Sequence, residues 1–426
     1  LIRWCSSAGD WGMRGLWMTA VALLFATPGS LAQPIERVVT PTEEIRIIEN
    51  AAASCLAEPQ VTDRCRFLMY RFAVLNARAR ELTVAERYAR KLAETADPAS
   101  PAEQLRAVWL LGDILRDLNR FDEAETYYRA RLQLVLATLP QDAERVLNAH
   151  DALAANLQHQ GKVEAAEAQF RAAVAWAEQG FPSGHLAIAR SYSNLAVHLL
   201  QLMRPIEAET LFRQAFAVVT RTEPDGAIAA RLLSNLAATA AMLGRAGEAE
   251  QLQRKSIAII EKLYPAGHTA VAEGYRGLAA LLESQAQFQE AERLARRALA
   301  IYTAALPPDA AFLQIPYETL AQILDRKGAP GEAEALYRKA RAAASALPTG
   351  HRERIKADAQ LARHLTERGA MLPESRTLNR DAAVWATARL FSYVGFTEAA
   401  KVEMRTYRSL FQGVLKTNWL LSQRIR

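Results

Sequence analysis

The chain has 426 residues, half of them hydrophobic and 23% charged, with 20 glycines and 17 prolines. That profile excludes a disordered or fibrous protein and leaves room for two or three compact domains or one elongated array. The formal charge of +6 gathers at the end of the chain. There Lys401, Arg405, Arg408, Lys416, Arg424 and Arg426 stand against Glu403 alone, so residues 33–400 are close to neutral and a broad nucleic-acid footprint is excluded.

Residues 1–32 read as upstream translated sequence followed by a secretory signal peptide. From Met13 the chain carries Arg14, then an apolar run from Leu16 to Ala26, then Ser30-Leu31-Ala32, with cleavage expected after Ala32. A membrane anchor is the alternative, but a spanning helix needs about 20 apolar residues, and this run is roughly half as long. The expected location is therefore outside the cytoplasm, periplasmic or secreted, and the Ala- and Arg-rich composition points to a bacterial source. Cys5 would leave with the leader. Cys55 and Cys65 remain and are a candidate disulfide, which would pin a helix around Thr42 to Leu56 onto one starting near Asp63. Two buried thiols are the other reading. No zinc site is expected, since two thiolates without a nearby histidine fall short of four ligands. Residues 33–65 are thus a capping region.

An internal repeat organises the rest of the chain. Ala124, Ala166, Ala208, Ala249, Ala291 and Ala333 each precede a glutamate (Glu125, Glu167, Glu209, Glu250, Glu292, Glu334) at spacings of 42, 42, 41, 42 and 42. Thirteen residues before each alanine comes Leu111, Leu153, Leu195, Leu236, Leu278 or Leu320, followed by glycine or alanine. Four residues after it lie Tyr128, Phe170, Phe212 and Tyr337, with Gln253 and Ala295 in the weaker copies, and small residues recur at the seventh position. Anchor, fourth and seventh positions share one helical face. Gly161, Gly244 and Gly328 interrupt the pattern five residues before the anchor, while Pro140, Pro182, Pro224, Pro265, Pro307 and Pro348 punctuate the units. Each unit is predicted to be an antiparallel helix pair.

These features resemble the tetratricopeptide repeat, and the 42-residue period resembles its kinesin-light-chain type. Tyr192, Tyr275 and Tyr317 near the start of first helices, the Ser193-Asn194-Leu195-Ala196 and Ser234-Asn235-Leu236-Ala237 segments, and the Pro-x-Gly-His junctions ending in His185, His268 and His351 carry that resemblance. It implies an all-α fold, a right-handed superhelical solenoid of stacked antiparallel helix pairs over residues 66–372. Residues 373–426 follow as a degenerate repeat and basic capping helices. The three junction histidines lie two units apart and cannot share a metal ion, so they are expected at helix starts.

The resemblance implies a concave groove, lined by first helices, that holds a peptide or partner protein. Transferred by position, the groove candidates are Arg106, Asn148, Arg190 and Arg231 at one level, with Asn194 and Asn235 four residues further on. Asparagine pairs with peptide backbone and arginine with carboxylates; a solvated helix face is the alternative reading. Glu273 and Ile315 break the row, which directs an acidic ligand to the N-terminal half. No nucleophile has a base beside it in the sequence, and no phosphate loop or paired-histidine motif occurs. The expectation is a non-enzyme without cofactor or metal. Two other roles stay open: a regulatory module of a caspase-like hydrolase system with catalysis on another chain, and a membrane-surface organiser acting through residues 401–426. In that last segment Tyr407, Leu410, Phe411, Val414 and Leu421 approximate one apolar stripe, which serves a capping helix equally well.

Overall fold

A computed structural model describes residues 41–58, 61–79, 81–347, 349–369, 371–391 and 398–423. The leader with Cys5, together with Pro348, Tyr393, Phe396, Arg424 and Arg426, lies outside them, as does the side chain of Glu403. Eighteen α-helices and no strand occur among the described residues. Helix α1 (Pro41–Ala57) precedes eight antiparallel pairs: α2 (Asp63–Arg78) with α3 (Leu82–Thr95), α4 (Pro101–Asp117) with α5 (Phe121–Thr138), α6 (Ala143–His159) with α7 (Val163–Gly180), and α8 (Leu186–Gln201) with α9 (Pro205–Thr220). They continue with α10 (Ala227–Met242) and α11 (Ala246–Leu263), α12 (Thr269–Ser284) and α13 (Phe288–Ala305), α14 (Gln314–Lys327) and α15 (Pro330–Ala344), and α16 (Arg352–Glu367) and α17 (Leu372–Phe391). Helix α18 (Glu398–Gln423) then lies across α16 and α17.

The repeat positions explain the packing. All six anchor alanines are fully buried, as are Tyr128, Phe212 and Tyr337 four residues on, so each odd-numbered helix presents one stripe to its neighbours. The small residue after the evenly spaced leucine is needed where helices approach closely. At Gly112 a Cβ would sit 3.3 Å from Tyr128 Cε1, so the ring of the same unit fills the space an alanine side chain occupies elsewhere. In the weaker copy Gln253 is buried but keeps a partner, donating from Nε2 to the Gly274 carbonyl at 3.1 Å. The polar side chain is tolerated because its hydrogen bond is made inside the array.

Every turn between the helices of the six clear units uses the left-handed region at the same slot. Gly161, Gly244 and Gly328 have φ of 75°, 77° and 90°, while Asn119, Met203 and Ala286 occupy the equivalent position at 60°, 58° and 60°. The geometry is common to all six, and half of them hold it with a side chain at a cost of about 1 kcal/mol. Between units, each second helix stops two to four residues before Pro140, Pro182, Pro224, Pro265 or Pro307. The next first helix is then capped: His185, His268 and His351 accept from the backbone N–H two residues on through Nδ1, at 3.2, 3.1 and 3.2 Å. The first two also stack on Phe181 and Tyr264, at 4.4 and 4.3 Å between ring centres. The junction histidines are helix caps, as their spacing predicted.

The recurring glutamates are structural as well. Glu167 pairs with Arg171 one turn later and with Arg204, the residue preceding α9 in the next unit, both at 2.7 Å. Glu209 does the same with Arg213 and Arg245, and Glu125 with Arg129 and Lys162. Arg213, Arg254, Arg296 and Arg338 also reach an acidic residue of the following unit, Glu248, Glu290, Glu332 and Glu374. A ladder of ion pairs thus runs along the edge of the solenoid where the odd helices begin.

At the front, Cys55 and Cys65 are bonded, with Cα atoms 5.3 Å apart. Their bridge ties α1 to α2 over a cluster of Met69, Phe72, Tyr88 and Leu92. At the back, Ser375, Leu378 and Ala382 of α17 are buried, keeping the phase of a second helix.

Candidate functional site

Successive even-numbered helices touch one another, from α6 through α16 and between α2 and α4, whereas the odd-numbered ones meet chiefly through the even helices between them. The even helices therefore line the inner side of the right-handed superhelix, and residues projecting from them face a shared groove. At its centre the sequence candidates separate into two groups. Arg190, on α8, is half-buried; its Nη1 lies 4.0 Å from Glu144 on α6, and its Nε and Nη2 are buried without a hydrogen-bond partner. One turn further, Asn194 donates from Nδ2 to Asp151 Oδ2 at 3.0 Å, while Asp151 Oδ1 is buried and unpaired.

Asp151, which sequence reasoning missed, completes this cluster. Burial pushes its carboxyl up to about 6, against the opposing pull of the Arg190 charge and the Asn194 hydrogen bond. The site's net charge thus depends on whether Asp151 holds a proton. Its signal in the sequence was position alone, three residues after Asn148 on the same face of α6. Asn148, Arg231 and Asn235 are half-buried on the neighbouring inner helices, and burial lowers the Arg231 guanidinium below its ordinary value. Arg106 stands apart, exposed at the first level and folded back onto the Ala102 carbonyl of its own helix at 3.2 Å.

A second concavity lies further along the same groove, where α12, α14 and α16 meet. It has a volume of about 180 Å³ and is lined by Arg276, Glu283, Ile315, Glu318, Gln322 and Lys356. Glu318 is almost fully buried and its carboxyl is pushed up by desolvation, against Lys356 Nζ at 3.1 Å and Gln314 Nε2 at 2.8 Å. Arg276 is clamped by Glu273 of its own helix, and Glu273 also accepts from the Tyr302 hydroxyl at 2.7 Å. The groove is thus charged in both halves. Its N-terminal half holds an arginine with buried, unpaired donors; its C-terminal half holds cations already matched by carboxylates.

Three of the remaining histidines are buried with polar partners on neighbouring helices. His150 and His198 are buried against Gln169 and Gln158 at 2.8 and 2.9 Å, and burial lowers both below the usual imidazole value. His364 meets Asp325 at 2.8 Å, its ring buried.

Family models described as tetratricopeptide repeat match residues 105–134 and, in three overlapping windows, 145–221, 187–262 and 228–304. No curated protein matches the sequence. Among solved structures the chain is similar to the apo form of the quorum sensor NprR from B. thuringiensis, at 15% identity and a TM-score of 0.55, covering 81% of this chain and 93% of that one. It is also similar to a Rap protein complexed with competence and sporulation factor, at 14% identity and a TM-score of 0.50, covering 83% and 99%. A putative kinesin light chain from Podosopora anserina aligns at 24% identity and a TM-score of 0.41 over 48% of this chain and 97% of that one. The matched windows and the 42-residue spacing coincide with the helix pairs of the solenoid, and residues 105–134 and 145–304 are tetratricopeptide repeats.

Proposed function

We propose that this chain is an exported, non-catalytic scaffold whose concave groove binds an extended peptide or partner segment at the level of α6, α8 and α10. The tetratricopeptide array supports a protein-interaction scaffold. One observation carries the finer reading: the buried Arg190 Nε and Nη2 and the buried Asp151 Oδ1 make no hydrogen bond within the fold, beside Asn194 in the same groove. Buried polar groups of this kind cost roughly 1–3 kcal/mol each unless something supplies the missing bond, and a peptide supplies both kinds, carbonyl oxygens or carboxylates for Arg190 and N–H groups for Asp151. The similar Rap structure is a complex with competence and sporulation factor, which supports reading an array of this shape as a receptor.

The test is affinity capture from extracytoplasmic extract, comparing the native groove with Arg190→Ala, Asn194→Ala, Arg231→Ala and Asn235→Ala combined. The expected result is a partner held by the native protein and weakened at least hundredfold in the variant, while both melt at similar temperature. Equal retention by both would remove the groove from the reading. The export half rests on the Met13 to Ala32 leader and on the disulfide. Its measurement is the N-terminal sequence of the protein recovered outside the cytoplasm, expected to begin at Gln33; recovery only inside the cell with residues 1–32 attached would defeat it.

A further inference from the structure

Helix α18 has two unlike faces. On the inner one Tyr407, Leu410 and Thr417 are buried against α16 and α17. Thr417 Oγ1 lies 2.8 Å from Thr366 Oγ1 and accepts from Asn379 Nδ2 at 3.1 Å, inside a network that continues through Ser375 to the Ala362 carbonyl. Gly413 permits this approach, since a Cβ there would sit 3.0 Å from Asn379 Oδ1. The capping role is therefore met in full by one side of the helix.

The other side has no part in it. Met404, Leu415 and Trp419 are exposed by 40%, 73% and 61%, and Arg405, Arg408 and Lys416 are exposed beside them. With 3.6 residues per turn these six fall within one arc of about 120°, diametrically opposite the buried set. No acidic residue occurs anywhere from Met404 to Arg426. Packing within the solenoid accounts for neither the exposed leucine and tryptophan nor the single sign of charge that borders them.

We propose that this outer face of α18 docks the solenoid on an anionic lipid surface, lying in the plane of the interface. Tryptophan sits favourably at headgroup level, leucine and methionine reach the acyl boundary, and the three cations are attracted by lipid phosphates. The contact is peripheral, because no described helix is long and apolar enough to cross a membrane. A second copy of the chain is the poorer occupant: a two-fold contact through this face would set Arg405, Arg408 and Lys416 against their own counterparts.

The test is flotation of the full chain with vesicles of phosphatidylcholine alone and of phosphatidylcholine mixed with phosphatidylglycerol. The readout is the gain in binding that anionic lipid brings, so that any charge-independent contribution of the apolar leader cancels. Two variants are compared with the native chain, one with Leu415→Ser and Trp419→Ser, the other with Arg405→Gln, Arg408→Gln and Lys416→Gln. Each juxtamembrane cation contributes on the order of tenfold or somewhat less near such a surface, so the triple variant should lose roughly hundredfold of that gain, while the double variant, whose apolar side chains act on both kinds of vesicle, should bind each of them more weakly than the native chain. All five replaced side chains being exposed, thermal melting should be unchanged. Absence of any gain with anionic lipid, a gain that the triple variant retains, or binding to both vesicles that the double variant leaves unchanged would overturn the proposal. So would a dimer in sedimentation velocity that Leu415→Ser and Trp419→Ser dissociate without any lipid effect, which would assign the face to a second copy.

Discussion

Replacing Phe212 by alanine should destabilise the array by about 3–5 kcal/mol and should do so locally. The ring is fully buried among Ala196, Leu199, Leu232 and Leu236, which belong to α8 and α10, and the cluster reaches back to Ala154 on α6. No single neighbour can close the void, because the cluster around the ring draws on three units. Yet helix contacts in this fold run almost entirely between neighbours in sequence, so stability is a sum of unit and interface contributions. Hydrogen exchange should therefore show protection falling in α8, α9 and α10 while α2 and α3 keep theirs. A uniform loss over the whole chain would mean that the array unfolds as one body, against the contact pattern. Phe391, 83% exposed at the end of α17, is the matched control, and its replacement by alanine should change stability by no more than about 0.5 kcal/mol.

Opening the Cys55–Cys65 bond should have the next largest effect. The bridge closes a loop of 10 residues, and the chain-entropy estimate for so short a loop is about 3 kcal/mol. The loss falls on α1, which reaches the array through Ala52, Ile45 and Ile48 over Met69 and Phe72. Limited proteolysis of the oxidised protein and of a Cys55→Ser, Cys65→Ser variant should show cleavage within residues 41–58 many times faster in the variant, with far-UV circular dichroism nearly unchanged. Equal cleavage rates would mean that apolar packing alone holds α1 in place. Because α1 covers the first apolar face of the solenoid, its release exposes Met69 and Phe72, and the variant should also be the more prone to association.

The architecture was legible in the sequence because the repeat restates each packing constraint several times. The anchor alanines, the aromatics four residues on and the junction histidines each have one geometric reason, and each reason recurs from unit to unit. Where a constraint acts on the backbone alone the signal halves: the left-handed turn slot shows as glycine in three units and hides as Asn119, Met203 and Ala286 in the others. The groove was less legible. Arg190 and Asn194 were placed by period, but Asp151 joins them only because two helices from different units converge, and a periodic reading that follows one column at a time does not see across columns. For the same reason Glu273 and Ile315 looked like breaks in a basic row, while the structure shows Arg276 held by Glu273 itself and Lys356 meeting Glu318 around the concavity beside them.

The ladder of ion pairs gives the solenoid a mechanical asymmetry. Glu125, Glu167 and Glu209 each clasp a cation of the following unit at the edge where odd helices begin, so that edge is tied from unit to unit by contacts of fixed length. Individually such half-exposed pairs are weak, on the order of 1 kcal/mol or less, but in series they oppose the same deformation, the splaying apart of adjacent units. Salt weakens all of them together. The array should then behave as a spring whose stiffness about one axis is set by ionic strength, and the width of the groove becomes a quantity that the surrounding medium can adjust without any ligand.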